Sequence, residues 1–125
     1  HYYQIKIGGD AAVVKGMMKA LLAMDSERRA EGGDSLLDRD FIRDHTSGFE
    51  QLVADLDATP WDEIEDVSGL ARADIETAAG IYAKAERTIV CYGMGITQHR
   101  HGTGNVQQLA NLLLLRGNIG REGAG

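Results

Sequence analysis

The chain has 125 residues, 43% of them apolar, with 13 Lys and Arg against 19 Asp and Glu, a formal net charge of −6, and one cysteine. That length suits a single domain spanning 1–125 with one core. The lone Cys91 excludes a disulfide framework or thiolate-built zinc centre, and an acidic chain without a basic tract argues against nucleic acid as a partner. No apolar run approaches the roughly 20 residues of a membrane span, and no leader pattern opens the chain. The expected location is cytoplasmic.

Tyr2-Tyr3-Gln4-Ile5-Lys6-Ile7 is aromatic and β-branched and stops at Gly8-Gly9, which predicts a strand. Asp10 follows as a candidate N-cap, and Val13, Val14, Met17, Met18, Leu21 and Leu22 recur at the spacing of a helix's buried stripe. The charged, glycine-broken stretch 25–40 reads as an exposed loop. Leu36, Leu37, Phe41 and Ile42 restart a helical pattern, and Phe49, Leu52, Val53 and Leu56 suggest another helix after Gly48. Thr59 is a candidate cap ahead of Pro60 and Trp61, with a short helical turn through Ile64.

From Ala71 to Ala85 a helix places Ile75, Ala78, Ala79 and Tyr82 on one face. Thr88-Ile89-Val90-Cys91-Tyr92 is a short apolar run ending in Gly93, as in a strand buried on both faces of a parallel sheet; Cys91 is then an inert packed thiol. A polar loop carries the chain from Gly93 to Gly104. The last helix, Asn105 to Arg116, is apolar over most of its circumference and meets its stop at Gly117. Strand, helices, strand, loop and helix predict an α/β class: a Rossmann-like or flavodoxin-like parallel sheet with flanking helices. Two strands alone leave most ladder positions unpaired, so the reading expects a partial domain of a larger polypeptide.

Ligands of open parallel sheets bind beyond the strand ends. The loop Gly93-Met94-Gly95-Ile96-Thr97-Gln98-His99 falls there, with glycines that let main chain approach a ligand and Thr97 and Gln98 as hydrogen-bonding side chains. Gly8-Gly9-Asp10 would form a second wall of the same cleft. His99 and His101 lack a third metal ligand nearby, Asp44 and His45 lack a nucleophile partner, and the run Asp62, Glu63, Glu65, Asp66 reads as a solvated helix face. No metal or catalytic residue is assigned. A stand-alone nucleotide-phosphate binding or regulatory module remains the alternative reading.

The stretch Cys91-Tyr92-Gly93-Met94-Gly95-Ile96-Thr97-Gln98-His99, followed by Gly102, a leucine-rich helix and Arg116-Gly117-Asn118-Ile119-Gly120-Arg121-Glu122-Gly123-Ala124-Gly125, resembles the molybdopterin oxidoreductases of the dimethyl sulfoxide reductase superfamily, formate dehydrogenase alpha subunits in particular. Gly8-Gly9-Asp10-Ala11-Ala12 and the segment Val67-Ser68-Gly69-Leu70 with Ile75, Ala78, Ala79 and Tyr82 are similar to two further family segments. Gly9 departs from the Ser or Thr common there. The resemblance implies an internal fragment of a catalytic subunit whose remainder is its partner. It also implies a bis(molybdopterin guanine dinucleotide) cofactor with molybdenum or tungsten, held by Gly93, Met94, Gly95, Thr97, Gln98, His99, Gly8, Gly9 and Asp10. The implied reaction of the whole subunit is two-electron oxidation of formate to carbon dioxide. Its 4Fe-4S cluster, metal ligand and catalytic residues would lie outside this chain.

Overall fold

The computed structural model describes residues 1–125 and is all-helical. Seven helices follow in order: α1 (Asp10–Ala30), α2 (Arg39–His45), α3 (Phe49–Ala58), α4 (Trp61–Ser68), α5 (Arg72–Lys84), α6 (Met94–Thr97) and α7 (Gly102–Leu115). The main core joins Val14, Met18 and Leu21 of α1 to Leu37, Ile42, Leu56, Tyr82, Leu112 and Leu115. A smaller cluster of Ile64, Leu70 and Ile75 packs with Tyr3, Ile5 and Trp61. Met18, Leu21 and Leu56 have no exposed surface, and each such side chain contributes about 1.5–3 kcal/mol of burial.

Neither predicted strand pairs into a sheet, and the Rossmann-like expectation is corrected accordingly. A strand is a property of a ladder, and aromatic or β-branched composition supplies only extended backbone that suits one. Residues 2–7 are tied to a neighbouring element by one backbone bond, Lys6 N–H to the Ser68 carbonyl (2.9 Å), and Ile7 is fully exposed. Residues 88–92 are clasped to a single residue: the Gly125 N–H donates to the Thr88 carbonyl (3.0 Å) and Val90 N–H to the Gly125 carbonyl (2.7 Å). Ile89 and Tyr92 are 63% and 50% exposed, and Cys91 is exposed as well, against the expectation of a doubly buried strand.

The helices depart from expectation mainly at their ends. Gly9 is the N-cap of α1, and Asp10, its first residue, makes no capping bond; the carboxylate acts only as a negative charge in the first turn. α1 runs on to Ala30 through the segment read as loop, because Asp25 faces inward. Its carboxylate accepts from the Ser35 hydroxyl (2.6 Å), the Leu36 N–H (2.7 Å) and the Arg39 guanidinium. That anchor straps residues 35–39 across the helix. Asp38 caps α2 by accepting from Phe41 N–H (3.0 Å). Thr59 is the C-cap of α3 and not the N-cap of α4: its backbone N–H and its hydroxyl both donate back to the Asp55 carbonyl, and Pro60 occupies the N-cap of α4.

Tie points between the helices fix their directions. Leu36 bridges the C-terminal halves of α1 and α7, donating its N–H to Asp25 and accepting from Arg116 Nη1 (2.6 Å). Val14, Met18 and Leu21 share the core with Leu112 and Leu115, and Leu36 brings the C-terminal ends of α1 and α7 together. α5 packs along α1. Near its start Ile75 fills the space beside Gly16, where a Cβ would come within 2.8 Å, and near its end the Tyr82 hydroxyl donates to the Leu112 carbonyl (2.8 Å).

Candidate functional site

The Gly93 loop and α6 stand ahead of the N-terminus of α7, and Gly8-Gly9-Asp10 stands at the N-terminus of α1. Residues 88–92 start beside Asn118, past the C-terminus of α7, where the Thr88 N–H donates to Asn118 Oδ1 (3.3 Å). They run back to Gly93, from which the loop and α6 lead into the N-terminus of α7. The loop is held there by close backbone approach. A Cβ on Gly102 would meet the Thr97 carbonyl oxygen at 2.1 Å, and Asn105, buried in the first turn of α7, donates from Nδ2 to the Ile96 carbonyl (3.1 Å). Gly102 and Asn105 were missed as site-forming residues. Their signal is the position of a glycine and a short amide side chain at the start of an otherwise leucine-rich helix.

Gly93, Met94, Gly95, Thr97 and Gln98 are all exposed, and His99 is half-buried. Met94 is 68% exposed despite its apolar side chain. Open space lies beside both Gly93 and Gly95, with no atom within 4 Å of a Cβ built there. The side chains of Thr97, Gln98 and His99 take no part in the intramolecular hydrogen bonds of the chain. The loop thus offers main chain, an amide and a hydroxyl outward, with nothing of this chain covering them.

The Gly8–Asp10 wall behaves differently. Gly8 adopts φ +82° with open space around it. Gly9 is buried, and a Cβ there would fall 2.8 Å from the Val67 carbonyl and 2.9 Å from Ser68 Cα. Gly9 is therefore a close contact between the entry to α1 and the C-terminus of α4. Hydrogen bonds do not join this segment to the Gly93 loop; the two stand at the starts of different helices, α1 and α7.

A cavity of about 700 Å³ between α1, α3, α4 and α5 is lined by Lys19, Asp25, Arg39, Trp61 and Arg72. Its charges are largely engaged: Lys19 donates to the Leu56 carbonyl, Arg39 to Asp25, and Arg72 to Glu76. Burial pushes the Asp25 carboxyl upward, but the Ser35, Arg39 and Leu36 donors outweigh it and hold the group below the usual carboxylate range. No cluster of three or more His, Cys, Asp and Glu side chains has the arrangement of a metal site, and no helix is long and apolar enough to cross a membrane.

No family model matches the chain. An uncharacterized oxidoreductase of Mycobacterium tuberculosis H37Rv is 36% identical over 124 residues, covering 99% of this chain and 15% of that protein. The F420-dependent formate dehydrogenase subunit alpha of Methanocaldococcus jannaschii is 33% identical over 124 residues, 99% of this chain and 17% of its own length. The chain is homologous to one stretch of these larger oxidoreductases. Protein YdeP of Escherichia coli K12 is 56% identical across 99% of the chain and 16% of its own length, so the chain spans about one-sixth of the curated relatives it matches. Acetylene hydratase from Pelobacter acetylenicus contains the same fold, with a TM-score of 0.80 and 18% identity over 95% of this chain and 15% of that one.

Proposed function

We propose that the chain holds part of a bis(molybdopterin guanine dinucleotide) cofactor, as one segment of the catalytic subunit of a molybdenum or tungsten oxidoreductase. The observation that carries the reading is the exposed chain at Gly93, Met94 and Gly95, with free space beside Gly93 and Gly95. A bulky anionic dinucleotide needs backbone donors it can approach closely and polar side chains for its heterocycle. Gly93, Met94 and Gly95 supply the first, and Thr97, Gln98 and His99 the second. Gly8 and Asp10 are the second wall of this proposed site, while Gly9 supports them by packing rather than by contact with the ligand.

The donor set fits the group. The loop is a rim rather than an enclosed cavity, so the remainder of the longer polypeptide supplies the opposite wall, the metal ligand and a 4Fe-4S cluster. When bound, the cofactor supplies two-electron chemistry at the metal; this chain's residues bind and orient it. Formate is the substrate best supported, through the 33% identity to a formate dehydrogenase alpha subunit; its oxidation to carbon dioxide releases two electrons and one proton.

Metal and nucleotide analysis of the intact polypeptide tests the reading. Roughly stoichiometric molybdenum or tungsten, with guanine nucleotide released on denaturation, is expected. Replacing Gly95 with Val should lower both without unfolding the protein. A well-folded intact polypeptide with neither metal nor pterin refutes the proposal.

A further inference from the structure

Asn118 has no exposed surface and follows Gly117, whose φ of +60° ends α7. Its side-chain amide joins four parts of the molecule. Oδ1 accepts from the Thr88 N–H (3.3 Å) and from Arg121 Nη2 (2.8 Å), and Nδ2 donates to the Tyr82 hydroxyl (3.1 Å). That hydroxyl donates onward to the Leu112 carbonyl on α7 (2.8 Å). Arg121 also donates to the Glu86 carbonyl (2.7 Å), and Gly125 clasps Thr88 and Val90 through its backbone. Both lone pairs of Oδ1 are thus committed to the extended segment and the glycine-rich tail, while Nδ2 faces the core.

The two halves of this amide have separable consequences. The Oδ1 half sets where residues 88–92 begin relative to α7, and those five residues carry Gly93. The Nδ2 half ties α5 to α7 and bears on the stability of the core. We propose that Asn118 is a positioning residue for the cofactor loop, acting through Oδ1 on Thr88 and Arg121, a role that rests on the pterin-dinucleotide reading of that loop.

Three variants in the intact polypeptide test it: Asn118→Ala, Asn118→Asp and Tyr82→Phe. Aspartate keeps the two acceptor bonds and loses the donation to Tyr82; phenylalanine removes only the tyrosine link. Amide hydrogen exchange should speed up about tenfold across 88–98 in Asn118→Ala, as expected for one lost hydrogen bond to a backbone N–H. Metal content per chain should fall about threefold or more in Asn118→Ala and stay within about twofold of the parent in Asn118→Asp, following the population of the binding-competent loop. Tyr82→Phe should lower the thermal midpoint and keep its metal. Loss of metal in Tyr82→Phe or Asn118→Asp, in step with thermal stability, overturns the positioning role in favour of a purely structural one. Those two variants decide the matter even if Asn118→Ala does not fold. A parent polypeptide free of metal and pterin overturns the cofactor reading instead, and leaves the exchange difference across 88–98 in place.

Discussion

Gly102→Ala adds one methyl group where the Thr97 carbonyl oxygen would stand 2.1 Å away, with the carbonyl carbon at 2.9 Å and Thr97 Cα at 3.2 Å. All three neighbours are backbone, so no side-chain rotation relieves the overlap. Ordinary contact begins near 3.4 Å, and the loop must retreat by about 1 Å, at an overpacking cost of about 1–3 kcal/mol. The Asn105 Nδ2 bond to the Ile96 carbonyl, 3.1 Å long, stretches or breaks at the same time, and leaving a buried amide unpaired adds about 1–3 kcal/mol. Because α7 is anchored along its length by Leu112, Leu113 and Leu115, which are at most 6% exposed, the helix stays and the loop moves. Hydrogen exchange on the intact polypeptide should show residues 93–101 losing on the order of a hundredfold in protection, equivalent to about 3 kcal/mol, with 108–116 unchanged. Gly95→Val should show no such loss, since a side chain there meets open space. Equal protection of the loop in Gly102→Ala and the parent would refute the close-approach argument.

Asp25→Ala removes the acceptor of four donors, the Ser35 hydroxyl, the Leu36 and Leu37 N–H groups and the Arg39 guanidinium, and should destabilise the 35–39 strap by about 2–4 kcal/mol, moderated because Arg39 is partly exposed and regains water; local exchange across 35–39 reads it. The folded-state depression of the Asp25 pKa means its stabilisation is present above the unfolded carboxylate value near 4 and is lost as pH falls through the lower folded value. A denaturation series from pH 6 to pH 2 should therefore show the strap loosening only below about pH 4 in the parent, and Asp25→Asn should lack that step. Leu56→Ala, at a side chain with no exposed surface, should cost about 2–5 kcal/mol by denaturant titration. Gly9→Ser places a Cβ against the Val67 carbonyl and Ser68 Cα and should lower stability by about 1–3 kcal/mol without a compensating gain in metal content.

Most of the helices were legible in the sequence because their periodicity is a property of single segments. The stripe Val14, Met18, Leu21 and the stripe Ile75, Ala79, Tyr82 are buried as their spacing predicts. What was not legible depends on partners distant in sequence. Asp25 prolongs α1 because Ser35, Leu36 and Arg39 close over it, a contact that no local pattern announces. Residues 2–7 and 88–92 have strand-forming composition, yet a ladder needs a second strand, and within 125 residues none is offered to either. The sheet inferred from that composition is absent.

The site divides along the same line. Position near a chain turn groups Gly8, Gly9, Gly93 and Gly95 as site glycines and leaves Gly102 outside the site. The structure separates them by what surrounds each missing side chain: Gly9 and Gly102 are pressed against backbone, whereas Gly8, Gly93 and Gly95 face empty space. A glycine pressed against its own chain is required for folding, and its substitution is felt before any ligand arrives. One beside open space is free of that demand in this chain, where only a glycine at positive φ, such as Gly8, has a conformational reason of its own. Gly93 and Gly95 have neither reason. Gly80 and Gly104 share that description but lie within α5 and α7; Gly93 and Gly95 stand in the exposed segment ahead of α7, and that position, together with the space beside them, is what the proposed ligand contact rests on.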